Sequence, residues 1–147
     1  MKARLAYANI LARDIEALSG FYGRLLDLPE IESHRSPIYR CLDAGGMELG
    51  FNAAQAYELL QISDRRPDGR GPVQVYLTFE VDGPEQVDAL AEDCARQGGR
   101  IVKQPYDTYY NARQAVLEDP EGNVFRLNCR MGPRLPAHQV EHPPWAR

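Results

Sequence analysis

The chain has 147 residues, 21 acidic and 17 basic, for a net charge of -4, and a single domain of that length buries roughly two thirds of its unfolded surface. No basic block tracks a phosphate backbone or an anionic membrane, which argues against nucleic acid as a partner. No apolar run reaches the length of a signal-peptide core or a membrane span, so a cytoplasmic protein is expected. The three cysteines, Cys41, Cys94 and Cys129, form neither a disulfide framework nor a C-x-x-C metal clip and read as small buried apolar residues.

Residues 4–12 (RLAYANILA) alternate as a strand, with Leu5, Tyr7, Asn9 and Leu11 on one face. Asp14 then offers an N-cap to a helix whose apolar positions, Ile15, Leu18, Phe21, Tyr22, Leu25 and Leu26, recur every three or four residues until Pro29 stops it. Residues 38–52 read as a β-hairpin around Gly45-Gly46, since paired glycines tolerate the positive φ of a tight turn. A short helical stretch (AAQAYELL) and a charged, Pro- and Gly-containing linker follow.

The order then repeats. Residues 73–81 (VQVYLTFEV) alternate as a strand. Asp82 offers an N-cap to a helix carrying Pro84, Val87, Leu90, Ala91 and Cys94, which stops at Gly98-Gly99. Strand IVKQP, a tyrosine-rich loop, strand RQAVLED, the turn DPEGN and strand VFRLNCR complete an approximate internal duplication. If each helix covers the apolar face of its sheet, the opposite faces carry Tyr7 and Asn9, Glu48 and Asn52, Tyr76 and Thr78, and Arg126 and Asn128. That is a polar and aromatic lining.

The strand, the helix RDIEALSGFYGRLLDL, the hairpin, and the later segment Arg113-Gln114-Ala115-Val116-Leu117-Glu118-Asp119-Pro120-Glu121-Gly122-Asn123 together resemble the vicinal oxygen chelate superfamily. This is the glyoxalase, bleomycin-resistance and extradiol-dioxygenase group, and the likeness covers about residues 4–130. It implies an α+β fold of two βαβββ modules, approximately 4–53 and 73–130, with linker 54–72. Their curved mixed sheets carry helices on the outer faces and form one domain over 1–130, followed by a tail at 131–147. It also implies a homodimer.

Metal-dependent members of the group place a ligand on the first strand of each module and a carboxylate on a later strand of each. The matching positions here are Tyr7, Glu48, Tyr76 and Arg126, of which Glu48 alone is a ligand type. An arginine beside a single carboxylate repels a cation, so no family-type metal and no cofactor are expected. Arg126 would instead pair with Glu48 or offer its planar fork to a carboxylate or phosphate on a ligand.

Eight tyrosines are present, and Tyr106, Tyr109 and Tyr110 cluster in the loop PYDTYYNAR. With Tyr7 and Tyr76 they would wall a pocket for an apolar or aromatic molecule, or simply pack against the strands. Arg113 and Asn128 complete the expected ligand contacts. His138 and His142 match H-x-x-E-H, but Pro133, Pro136, Pro143 and Pro144 leave no room for the helix that this zinc motif needs. Trp145 could anchor on a partner or cap a pocket, and His34 is expected to face water. No phosphate-cradling loop and no nucleophile elbow appear.

Two function classes follow. The first is a metal-free protein that binds a small organic molecule, aromatic or anionic, between aromatic walls, with Glu48 and Arg126 fixing its polar groups. The second is an enzyme, either a lyase or dioxygenase with a relocated metal or a metal-free isomerase, with Glu48 as general base and Tyr7 or Tyr76 as acid.

Overall fold

In a computed structural model, which describes residues 1–146, strand β1 (Tyr7–Leu11) leads into helix α1 (Ile15–Leu26). Asp14 caps that helix as expected: its Oδ1 accepts the Ala17 N–H at 2.9 Å, and Asp27 ends it in the left-handed region at φ 52°. The buried stripe is Ile15, Leu18, Phe21, Tyr22 and Leu25. Strands β2 (Tyr39–Asp43) and β3 (Glu48–Asn52) form the hairpin, and Gly45 and Gly46 take φ values of 74° and 100° at its tip. Central β3 lies parallel to β1 and antiparallel to β2, in the order β1-β3-β2. Helix α1 packs on β2 and β3, where Leu42, Leu49 and Phe51 are buried and Tyr22 meets Phe51 at 5.6 Å between ring centroids.

The chain divides into two compact units, Met1–Pro72 and Val73–Arg147. The first closes with three strands where the expected module has four. Residues beyond β3 turn instead into a short helix, α2 (Gln55–Leu59), and a 3₁₀ turn at Ser63–Arg65.

The second unit has all four strands. Strand β4 (Leu77–Glu80) is followed by helix α3 (Pro84–Arg96) and by β5 (Arg100–Asp107), β6 (Ala112–Glu118) and β7 (Val124–Arg130), ordered β4-β7-β6-β5. The strand expected over 73–81 begins only at Leu77, and Val73 and Val75 stay 56% and 80% exposed. Its parallel partner explains this: Leu77 aligns with Phe125, and β7 itself starts at Val124, so β7 offers no residue opposite the chain before Tyr76. Gly83 rather than Asp82 caps α3; the Asp82 N–H instead donates to Gln86 Oε1 at 2.9 Å, and Pro84 opens the first turn.

The DPEGN turn is built on Asp119, whose Oδ1 accepts the N–H groups of Glu121 and Asn123 at 2.9 and 3.0 Å while Gly122 takes φ 87°. Phe125, Leu127, Ala115 and Leu117 are buried, on strands against which α3 packs. All three cysteines are free and buried, in agreement with their reading as small apolar residues. Among the described residues no helix is long and apolar enough to cross a membrane.

Candidate functional site

Strand alternation in the second unit sends Thr78 and Glu80 of β4, Arg126 and Asn128 of β7, and Ala112 and Gln114 of β6 to the face away from α3. Register makes them neighbours, with Thr78 level with Arg126, and Glu80 and Gln114 level with Asn128. This face floors a cavity of about 690 Å³ whose lining continues through Tyr109, Tyr110 and Asn111 to the C-terminal segment, including Arg134, Leu135, Val140 and His142.

The floor is a connected polar network. Gln114, buried, donates to Asn128 Oδ1 at 2.7 Å and accepts from the Tyr106 hydroxyl at 3.2 Å. Asn128 in turn donates to Glu80, whose other oxygen accepts the Arg130 backbone N–H at 2.8 Å. Glu80 is thus occupied within the floor. Arg126 reaches only neutral acceptors: Thr78 Oγ1 at 3.2 Å, and the Tyr110 hydroxyl and Gln114 Oε1 at 3.4 Å each. Its guanidinium also lies 5.3 Å from the centre of the Tyr76 ring. Within its unit no described carboxylate pairs with it. Arg130 and Arg134 line the same cavity, so three guanidiniums face one carboxylate.

Tyr109 and Tyr110 stand edge to face at 5.0 Å, and Tyr109 also meets His142 at 5.3 Å and Trp145 at 6.1 Å. The tail therefore folds back onto the tyrosine turn. His138 lies in a 3₁₀ turn at Ala137–Gln139 and His142 beyond it outside any helix, so H-x-x-E-H presents no helical histidine pair.

The first unit's open face has different chemistry. Tyr7 is level with Glu48 across β1 and β3, and Asn52 Nδ2 donates to Asn9 Oδ1 at 3.0 Å. Gly50 lies between them, where an added Cβ would come within 2.7 Å of the Tyr39 hydroxyl and closer still to Asn9 Oδ1. Glu48 pairs with His34, Nδ1 to Oε1 at 3.3 Å, and the same nitrogen lies 3.7 Å from Cys41 Sγ. His34 does not simply face water: its 3₁₀ turn is tied to β2 by the Ile31 N–H donating to Cys41 O at 3.0 Å. Burial, then the neighbouring Glu48 carboxylate, pushes the Cys41 thiol up. Burial also raises the Tyr39 phenol, with Cys41 and Glu48 adding to it.

Among the residues expected to bind ligand, Thr78, Tyr109, Tyr110, Arg126 and Asn128 come together at the cavity, with Tyr76 against Arg126. Tyr7, Asn9 and Glu48 share the first unit's open face. Arg113 does not join the cavity. Gln114 faces it, so its neighbour Arg113 points the other way and forks onto Asp88 of α3 at 2.9 and 3.1 Å, with Asp107 at 3.2 Å.

Thr78, not Tyr76, stands level with Arg126 as Tyr7 does with Glu48. A first-strand tyrosine and threonine, and a guanidinium in place of the second carboxylate, do not fit the ligand set of a family-type metal. Sequence reasoning missed Gln114 and Arg130, although both share the period-two face of Arg126 and Asn128. Nothing local marked Arg134.

The chain belongs to the glyoxalase/bleomycin resistance protein/dioxygenase superfamily, whose model matches residues 4–127. It is 47% identical to a family enzyme from Burkholderia phytofirmans, with a TM-score of 0.81 over 86% of this chain and 98% of that one. A glyoxalase-related enzyme from Fulvimarina pelagi, 18% identical, shares the fold with a TM-score of 0.76 over 95% of this chain and 97% of that one. No curated protein matches the chain.

Proposed function

We propose that the protein binds a small organic anion with a flat apolar or aromatic body in the cavity of the second unit, as a cytoplasmic homodimer and without a metal at the family positions. The observation that carries this reading is Arg126, a guanidinium on the cavity floor held only by neutral acceptors. A carboxylate or phosphate would supply the charge complement and accept the planar fork. Tyr109 and Tyr110 offer flat apolar surface for the rest of the molecule.

Calorimetric titration of the full chain with a panel of aromatic carboxylates and their neutral amides tests the idea. The carboxylates should bind in preference to the amides, and Arg126→Gln should remove about tenfold to a hundredfold of their affinity, the worth of a hydrogen bond to a charged group. Equal binding of acid and amide, or full affinity in Arg126→Gln, would sink it.

The description of the Burkholderia phytofirmans relative as an enzyme supports a second reading, in which the bound molecule is also converted with Glu48 as general base. Following the titrated ligand by NMR separates the two, because a binding protein returns it unchanged. Light scattering at the same concentrations reads the assembly.

A further inference from the structure

The first unit holds a group of side chains that the anion cavity does not use. His34 Nδ1, Cys41 Sγ and a Glu48 carboxylate oxygen all lie within 4.8 Å of one another. They come from three places in the sequence: a 3₁₀ turn, strand β2 and strand β3. The turn is pinned on both sides. Ile31 bonds the Cys41 carbonyl, and the Arg35 guanidinium grips Glu30, 2.7 Å from its Oε2.

The spacing can be compared with that of a coordinated ion. Bond lengths of about 2.0–2.2 Å to nitrogen and carboxylate oxygen and about 2.3 Å to sulfur give tetrahedral edges of about 3.4 Å between N and O and about 3.6 Å between N and S. The corresponding distances here are 3.3 Å from His34 Nδ1 to Glu48 Oε1 and 3.7 Å from His34 Nδ1 to Cys41 Sγ. An ion pair accounts for the first distance and a thiol hydrogen bond for the second, and the two converge on a single nitrogen as the ligands of one ion would.

A second observation comes from the carboxylate itself. Glu48 Oε2 is buried and has no hydrogen-bond partner among the described residues. A buried orphan acceptor costs free energy that a cation would recover.

We propose that His34, Cys41 and Glu48 bind a divalent transition-metal ion of borderline softness, zinc foremost, through one imidazole nitrogen, one thiolate and one carboxylate. Thiolate and imidazole select against magnesium and calcium, and the two anionic ligands neutralise the charge of the ion. His34 is 46% exposed and Glu48 20%, so solvent reaches the group and water can take a fourth position. Of the family positions only Glu48 takes part; the other two ligands are particular to this arrangement. The site therefore lies outside the expectation of no family-type metal, and it shares no residue with the anion cavity.

Full-length reduced protein, stripped with a chelator, is titrated with Co²⁺ and then Zn²⁺. One equivalent of Co²⁺ should bind with a thiolate-to-cobalt charge-transfer band in the near ultraviolet, and Zn²⁺ should displace it and raise the melting temperature. Cys41→Ala should abolish the band. His34→Gln alters a half-exposed side chain and leaves the core intact, so it decides the matter even if Cys41→Ala does not fold. It should weaken binding by more than the roughly 10–100-fold that loss of an outer partner costs. Glu48→Gln should do the same. His138→Gln with His142→Gln should change nothing. Absence of binding, binding without the sulfur band, or binding that survives His34→Gln and disappears with the two tail histidines would each overturn the proposal.

Discussion

Both units place a parallel strand pair, β1 with β3 and β4 with β7, beside a packed helix, yet their open faces carry opposite chemistry. In the first, Glu48 and Cys41 gather beside His34; in the second, Arg126, Arg130 and Arg134 line a cavity roofed by the tail. The helix-facing positions are interchangeable in kind, with Leu49 and Phe51 answering to Phe125 and Leu127. The difference teaches that alternation commits every second strand residue to the core and leaves the intervening ones free to diverge. Two copies of one plan can thus hold sites of opposite charge.

The largest expected effect tests the shared half of this comparison. Phe51→Ala and Phe125→Ala each empty a fully buried position on the central β3 and on β7, and each should cost about 3–5 kcal/mol in urea unfolding. A loss near zero in either one would show that the two cores are not equivalent.

Turn chemistry comes next. Gly46 at φ 100° and Gly122 at φ 87° hold the hairpin and the DPEGN turn. Alanine at either position should cost about 1–2 kcal/mol, because the left-handed region strains a Cβ. An added Cβ at Gly46 meets nothing within 4 Å, so the cost there is purely conformational, and unfolding of Gly46→Ala measures it directly.

The narrowest effect, confined to high pH, is a pH dependence tied to Cys94 of α3. Burial pushes the Cys94 thiol up from its ordinary 9.0 to about 11. The folded chain therefore holds this proton more tightly than the unfolded one, and the associated stability is complete below pH 9 and lost as pH rises toward 11. The slope of stability against pH in that window should be shallower in Cys94→Ala than in the parent. Equal slopes would mean that the thiol contributes nothing to the linkage. The same burial should leave native Cys94 unreactive to alkylating reagents at neutral pH, as measured by mass spectrometry.

Much of the second unit's site was legible because alternation and registry coincide. Thr78, Arg126 and Asn128 fall on one face by period two alone, and the structure keeps them there. Tyr109 and Tyr110 were recognisable as a cluster, but Tyr106 was not separable from them. It belongs to β5, with its hydroxyl on Gln114, because the strand runs through Pro105 to Asp107 at a sheet edge that tolerates a missing N–H. Arg113 was misplaced for lack of phase: one residue decides whether a side chain meets the cavity or α3. Val73 and Val75 alternate faultlessly and still form no strand, since pattern supplies a face but not a partner.

By itself the sequence determined the order of elements, the Asp14 cap of α1 and the tight turns, the apolar stripes of both helices and the family to which the chain belongs. These depend on neighbours within a few residues or on a period, and so can be read locally. Tertiary structure alone decided that His34 and Cys41 join Glu48 and that the tail closes over the floor around Arg126. Those meetings are set by strand register and by a turn folded against β2, and no spacing along the chain encodes them.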